Sequence, residues 1–274
     1  MDSVGLQPLG VGRLLLWMLL CGWASLSLLG QETPKVLPLA GETFKIGPWE
    51  AFIISPVPTT VTEGGTRPWV WYAPTLPGLP DKEERVMFEQ WTQTGIAIAG
   101  IDVGESFGSP RGRAGFTALY KEMTEKRGYS QRPIFLARSR GGLMALNWAV
   151  ENPEKVAAIA AIYPVSNLRS YPGLVKASVG YEMTPQQLEA VLATHNPIER
   201  LEPLAKARVP LFVIHGDVDT LVPLEDNSGI LRARYEALGG PIRLVIPAGQ
   251  GHNRWSGFFQ NSALIEFVKE QTKP

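Results

Sequence analysis

Three side chains in this sequence have the types and the order for nucleophilic acyl chemistry: a serine at 139, an aspartate at 217 or 219, and a histidine at 252. Ser139 stands in IFLARSRGG, residues 134–142, where the apolar run Ile134-Phe135-Leu136 meets a serine between two arginines and then two glycines. A serine hydroxyl is a weak nucleophile unless a base removes its proton and donors stabilise the oxyanion. A tight strand-turn-helix elbow serves both needs. It lifts the side chain out at the end of a sheet and aims the amides of the helix N-terminus at the developing charge. Small residues two before and two after the serine let such a turn close, and here they are Ala137 and Gly141, with Gly142 keeping the helix near the strand. This is a G-x-S-x-G elbow with alanine in the first glycine position, so the turn must tolerate one extra methyl. Taken alone, Ser139 reads equally well as a helix cap.

The base and the acid come from later loops. FVIHGDVDTLVP ends an apolar run at Ile214 and then offers Asp217 and Asp219 before Val222-Pro223. VIPAGQGH ends another run at Ile246 and offers His252 in a glycine-rich loop. His215 sits directly at a strand end and His195 lies before Asn196-Pro197, so both read as structural.

The elements that must position these residues alternate along the chain. Residues 51–54, 69–72, 96–101, 134–136, 156–162, 211–214 and 242–246 read as strands, bounded by Pro and Gly. Residues 81–93, with Asp81 as cap, 116–126, 141–151, 229–238 and 262–271 read as helices. Fully apolar strands alternating with helices argue for an α/β fold with a mostly parallel sheet covered on both faces. The longest interruption, residues 164–209, contains a helix candidate at 185–193 and reads as a cap insertion over the carboxyl ends of the strands, where ligands bind.

ARSRGG, HGDVDTLVP and GQGH, in that order and each at a strand end, resemble the α/β-hydrolase superfamily over about residues 40–272. The likeness is to its prolyl-oligopeptidase-type and dienelactone-hydrolase-like esterase branches more than to its lipases. The resemblance implies Ser139 as nucleophile, His252 as general base and then acid, and Asp219 rather than Asp217 as the residue that orients the imidazole. It also implies an oxyanion hole made by the N–H of Arg140 and a second N–H from WYAPTLPGLP, where Leu76 is the choice and Thr75 the near alternative, since Pro74 and Pro77 have no N–H. Dienelactone hydrolases use cysteine as nucleophile, and this chain departs from them there. The expected function is a serine hydrolase that cleaves a carboxylic ester through an acyl-enzyme. A small exopeptidase of the prolyl-oligopeptidase type is the alternative, and a non-catalytic binding protein on a hydrolase fold is the alternative of another class.

Arg138 and Arg140 are the sequence's particular feature. They either pair with carboxylates on neighbouring loops, Glu105 and Asp102 being candidates, or present a guanidinium to the oxyanion or to an anionic group of the substrate. Ser139-Arg140 resembles the Ser-Arg step in the elbow of glucuronoyl esterases. GESFGSPRG, residues 104–112, lacks the Gly-Lys-Ser/Thr step of a phosphate loop and reads as active-site wall. Trp255 is expected to pack on the final helix rather than line the site.

Composition narrows the alternatives. The chain has 274 residues with 26 Lys plus Arg against 26 Asp plus Glu, which gives no electrostatic reason to expect nucleic acid as a partner. A small-molecule ester is the expected substrate. Cys21 is the only cysteine, so no disulfide framework, thiolate nucleophile or Cys-ligated metal site is expected in the mature chain, and no cofactor is implied. Arg13 precedes an apolar run over residues 14–29, followed by polar chain from Gln31. This pattern reads as a secretory signal over residues 1–30, cleaved near Gly30, ahead of a single domain over 31–274. Export to the periplasm or medium is expected, with an uncleaved membrane anchor as the alternative.

Overall fold

The computed structural model describes residues 35–57 and 67–272, together with Met1, Asp2 and Gly5. The chain divides into two units, Met1–Pro34 and Lys35–Pro274, and everything below concerns the second. The expected signal segment and the anchor reading lie outside the described residues. Among the described residues no helix is long and apolar enough to cross a membrane.

Eight strands form one sheet: β1 Glu42–Ile46, β2 Trp49–Ile54, β3 Trp69–Ala73, β4 Ala97–Ile101, β5 Ile134–Arg138, β6 Ala158–Ile162, β7 Leu211–Ile214 and β8 Ile242–Val245. Their spatial order is β1-β2-β4-β3-β5-β6-β7-β8. β1 and β2 pair antiparallel, as do β2 and β4, and every other pairing is parallel. Strand β1 is the one strand here that the apolar pattern does not announce. Its residues are mostly exposed, as befits an edge strand, so alternation there is weak.

β3 to β7 are buried on both faces. Period-two geometry sends Trp69, Trp71 and Ala73 to one side and Val70 and Tyr72 to the other. The first side is covered by α2 Pro110–Lys121, α3 Gly141–Glu151 and α7 Ile230–Ala237, through Phe116, Trp148 and Tyr235. Trp71 stacks on Phe135 at a centroid distance of 4.7 Å and meets Trp148 at 4.9 Å, so much of the tryptophan content fills this layer. The other side is covered by α1 Arg85–Thr92, α8 Ser256–Phe259 and α9 Ser262–Glu270.

Helix α2 begins six residues before the expected start at 116. Ser109 caps it, accepting a hydrogen bond from the Gly112 N–H, and Pro110 takes the first helical position, where a missing N–H costs nothing. Residues 164–209 fold into short helical pieces, including α4 Leu174–Gly180, α5 Pro185–Ala190 and α6 Glu202–Lys206. Leu168, Ala177, Leu188 and Leu192 from this segment make a separate small core with Phe107, Leu143 and Val222.

Candidate active site

β5 ends at Arg138 and α3 begins at Gly141, leaving Ser139 in the turn with φ of 51°. Positive φ is costly for a residue with a Cβ and persists only where the surroundings over-determine it. Here the Ser139 N–H donates to the Ile162 carbonyl at 3.0 Å, and the Ser139 carbonyl accepts from the N–H groups of Gly142 at 2.9 Å and Val165 at 2.8 Å. The elbow glycines are required by close approach. A Cβ on Gly141 would lie 2.1 Å from the Ala73 carbonyl oxygen, and one on Gly142 would lie 2.4 Å from that of Val165. Alanine is tolerated at 137 because its neighbours across the sheet, Ala73 and Ala161, are also small. Gly141→Ala is expected to destabilise the protein by about 3 kcal/mol or more, since backbone rather than a flexible side chain must move. A melting temperature within a degree of wild type would contradict this.

Ser139 Oγ lies 2.9 Å from His252 Nε2, and His252 Nδ1 lies 2.7 Å from Asp219 Oδ2. A carboxylate only accepts, so Nδ1 carries the hydrogen and Nε2 is left to accept from the serine hydroxyl. Asp219 is buried. Burial alone would raise its pKa, but His215, His252 and the Val222 N–H all donate to it and hold the carboxyl well below the usual range. Its Oδ1 takes the N–H groups of Leu221 at 3.0 Å and Val222 at 2.8 Å. The loop that bears Asp219 is zipped to the loop that bears His252. The Val218 N–H donates to the Gln250 carbonyl at 3.1 Å, and the Gly249 N–H donates to Asp217 Oδ1 at 2.6 Å. Asp217 thus pins the histidine loop rather than touching the imidazole. Glycine is needed at 216, where a Cβ would come 2.0 Å from the Gln250 carbonyl oxygen.

His215, read from sequence as structural, is fully buried beside the acid. Its Nε2 lies 2.9 Å from the Val222 carbonyl oxygen and 3.2 Å from Asp219 Oδ2. Both neighbours are acceptors, so Nε2 carries the hydrogen and Nδ1 accepts from the Ser228 hydroxyl at 2.7 Å. His195 lies away from these groups, against the Tyr181 ring.

The two arginines have different fates. Arg138 turns inward: Nη1 lies 2.8 Å from Glu84 Oε1 and 3.3 Å from Asp81 Oδ2, and Nε donates to the Tyr163 hydroxyl at 3.2 Å. Burial alone would lower its pKa, but Glu84, the tyrosines and Asp81 more than offset this and hold it protonated. Burial pushes the Glu84 carboxyl up, against the pull of Arg138 and the hydrogen bonds from the Asp81 N–H and the Tyr72 hydroxyl. The Tyr163 ring packs on the His252 ring at 4.3 Å, and burial pushes its hydroxyl up to about 12 despite Arg138. Arg140 turns outward and pairs with Glu105, Nη1 to Oε1 at 3.0 Å, both groups partly open to solvent. Asp102, the other expected partner, instead accepts from the Gly104 N–H at 2.9 Å.

A cleft of about 740 Å³ opens over Ser139 and His252. Leu76, Gly104, Glu105, Arg140, Tyr171 and Arg254 are among its walls, so of residues 104–112 only Gly104 and Glu105 line it, and residues 164–209 contribute Tyr171. The Arg140 N–H stands at the head of α3, where the first amides have no intrahelical partner. Leu76 faces the cleft, its carbonyl fixed by the Leu79 N–H at 2.9 Å and by Lys35 Nζ at 2.8 Å. Thr75 is buried away from the cleft, its hydroxyl donating to the Tyr72 carbonyl at 3.3 Å. Trp255 packs edge-on against Phe258 at 5.4 Å. Among the described residues no cluster of His, Cys, Asp and Glu could hold a metal ion.

A model of the prolyl oligopeptidase family matches residues 116–272, a span that includes Ser139, Asp219 and His252. No curated protein matches the chain. Among solved structures, a puromycin-hydrolyzing peptidase of Mycobacterium tuberculosis superposes with a TM-score of 0.68 at 17% identity, over 88% of this chain and 40% of its own length. The acylaminoacyl peptidase of Pyrococcus horikoshii gives 0.64 at 16% identity, over 85% and 41%. Dipeptidyl peptidase 4 of Porphyromonas gingivalis gives 0.65 at 14% identity, over 85% and 35%. These likenesses show the α/β-hydrolase fold, and the chain spans 35% to 41% of the length of the structures it matches.

Proposed function

The chain belongs to the prolyl oligopeptidase family of serine hydrolases, and from that premise we propose that Ser139, His252 and Asp219 form its catalytic triad and cleave the amide bond of a short peptide or aminoacyl compound. The observation that carries the reading is the continuous hydrogen-bonded chain, 2.9 Å from Ser139 to His252 and 2.7 Å from His252 to Asp219. Ser139 Oγ attacks the carbonyl carbon as His252 Nε2 takes its proton. The oxyanion faces the N–H groups of Arg140 and Leu76. The intermediate collapses, Nε2 returns the proton to the leaving nitrogen, and an acyl-serine remains. Water then attacks, giving its proton to Nε2, and the acid leaves as Ser139 recovers its hydrogen. Asp219 stabilises the imidazolium in both halves without taking the proton.

A carboxylic ester is the second reading, and one observation favours it. The carboxylates around the cleft are engaged by arginines: Glu105 by Arg140, Asp81 by Arg138 and Arg254, and Glu84 by Arg138. Among the described residues that line the cleft Glu105 is the single carboxylate, so no pair of them is left to hold the amino terminus of a peptide. Parallel assays with short p-nitrophenyl esters and aminoacyl-anilides separate the readings, provided each rate is divided by its uncatalysed rate, because esters are intrinsically more reactive. The peptidase reading expects the larger enhancement on the anilide. Enhancement confined to the ester would replace it with the ester reading.

A further inference from the structure

The cleft lining includes Arg138, Arg140 and Arg254 and one carboxylate, Glu105, while Asp81 and Glu84, outside the lining, pair with Arg138 and Arg254. Arg138 is spent, since Glu84, Asp81 and Tyr163 occupy its donors and its side chain is only 10% exposed. Arg254 is more exposed, at 61%, but is tied at 3.2 Å to Asp81, which is 15% exposed and shared with Arg138, so its partner has little room to swing aside. Arg140 is different. It sits on the residue after the nucleophile, its side chain is 32% exposed, and its partner Glu105 is 45% exposed on a wall loop. A pair open to solvent on both sides contributes little and exchanges easily. A planar guanidinium is suited to holding a carboxylate through two parallel hydrogen bonds.

We propose that the cleft takes acyl compounds bearing a free carboxylate near the scissile carbonyl, with Arg140 as its anchor and Glu105 as the group the substrate displaces. The inference rests on Ser139 being the reacting residue, because that places Arg140 beside the scissile bond. Glu105 then acts as a placeholder. It neutralises Arg140 in the empty cleft, and it disfavours neutral substrates only weakly. The same arrangement explains why the elbow carries two arginines: one braces the turn from below and one faces the ligand.

The test is calorimetric titration of the full chain with glutaramate and with its neutral counterpart glutaramide, which differ by one terminal carboxylate and share an amide carbonyl at the other end. Wild type is expected to bind glutaramate at least about tenfold more tightly. In Arg140→Gln the gap should close to about twofold or less. In Glu105→Gln, where the competitor is gone, it should widen. The two variants move the ratio in opposite directions, and Glu105 is exposed enough to replace without threatening the fold. Equal binding of the charged and the neutral compound by wild type would overturn the proposal, as would a gap that survives in Arg140→Gln or one that narrows in Glu105→Gln. A carboxylate preference in a protein that hydrolyses nothing would keep this subsite and remove the proposed function instead.

Discussion

His252→Ala is expected to lower kcat by about a millionfold on any substrate the enzyme turns over, the scale seen when the base of a serine triad is removed. His252 Nε2 is the only acceptor placed at hydrogen-bond distance from Ser139 Oγ among the described residues, at 2.9 Å. Without it the serine proton has nowhere to go and the leaving group has no donor. His215 cannot substitute. It is fully buried, and its Nε2 hydrogen is committed to the Val222 carbonyl and Asp219. The imidazole contributes little to the core, so the melting temperature should fall by no more than a few degrees. The measurement is pre-steady-state and steady-state turnover beside a thermal melt. A loss of less than about a hundredfold, in protein of normal stability, would mean that another base serves Ser139.

Arg138→Met should instead strike stability. Removing one partner of a buried ion pair leaves an uncompensated charge and costs about 3–5 kcal/mol. Glu84 is 0% exposed, and its carboxylate would keep only the Asp81 N–H and the Tyr72 hydroxyl as donors. For a domain of this size that cost lowers the melting temperature by about 10 °C. The pH dependence has a definite sign. A carboxyl whose folded pKa is raised above its unfolded value favours the folded state in its protonated form, so its penalty grows as pH rises and is relieved as pH falls. The deficit of Arg138→Met should therefore shrink between neutral pH and about pH 5. Adding Glu84→Gln should recover much of it at neutral pH. A double variant no more stable than Arg138→Met would show that the guanidinium, rather than the stranded carboxylate, carries the effect.

The contrast between these two residues marks how far the sequence could be read. Ser139, Asp219 and His252 are legible because each follows an apolar run at a strand end, and parallel strands bring such ends together on one edge of the sheet. The elbow glycines are legible for the same local reason. The partners of Arg138 are not, because Glu84 and Asp81 lie 54 and more residues earlier, in the cap of a helix on one face of the sheet. Nothing in residues 134–142 points to them. Glu105 as the partner of Arg140 could be guessed, since both sit in loops at the carboxyl edge. The contact of His215 with the acid was hidden by its position at a strand end, where a buried polar residue reads as structural. The Val222 carbonyl that helps fix its tautomer lies within HGDVDTLVP, but the Ser228 hydroxyl comes from chain that bears no motif.

The choice between peptide and ester lies beyond the reach of the motifs because a Ser-His-Asp triad performs the same proton transfers on either substrate. Discrimination resides in the cleft walls, and those are assembled from Leu76, Glu105, Tyr171 and Arg254 on four separate loops.

The central claim, that Ser139 is an activated nucleophile, is tested most directly by a fluorophosphonate probe followed by peptide mapping. Covalent labelling of the wild type at Ser139, lost in Ser139→Ala and slowed by orders of magnitude in His252→Ala, is the predicted result. An unlabelled wild type, or label that persists in Ser139→Ala, would contradict it.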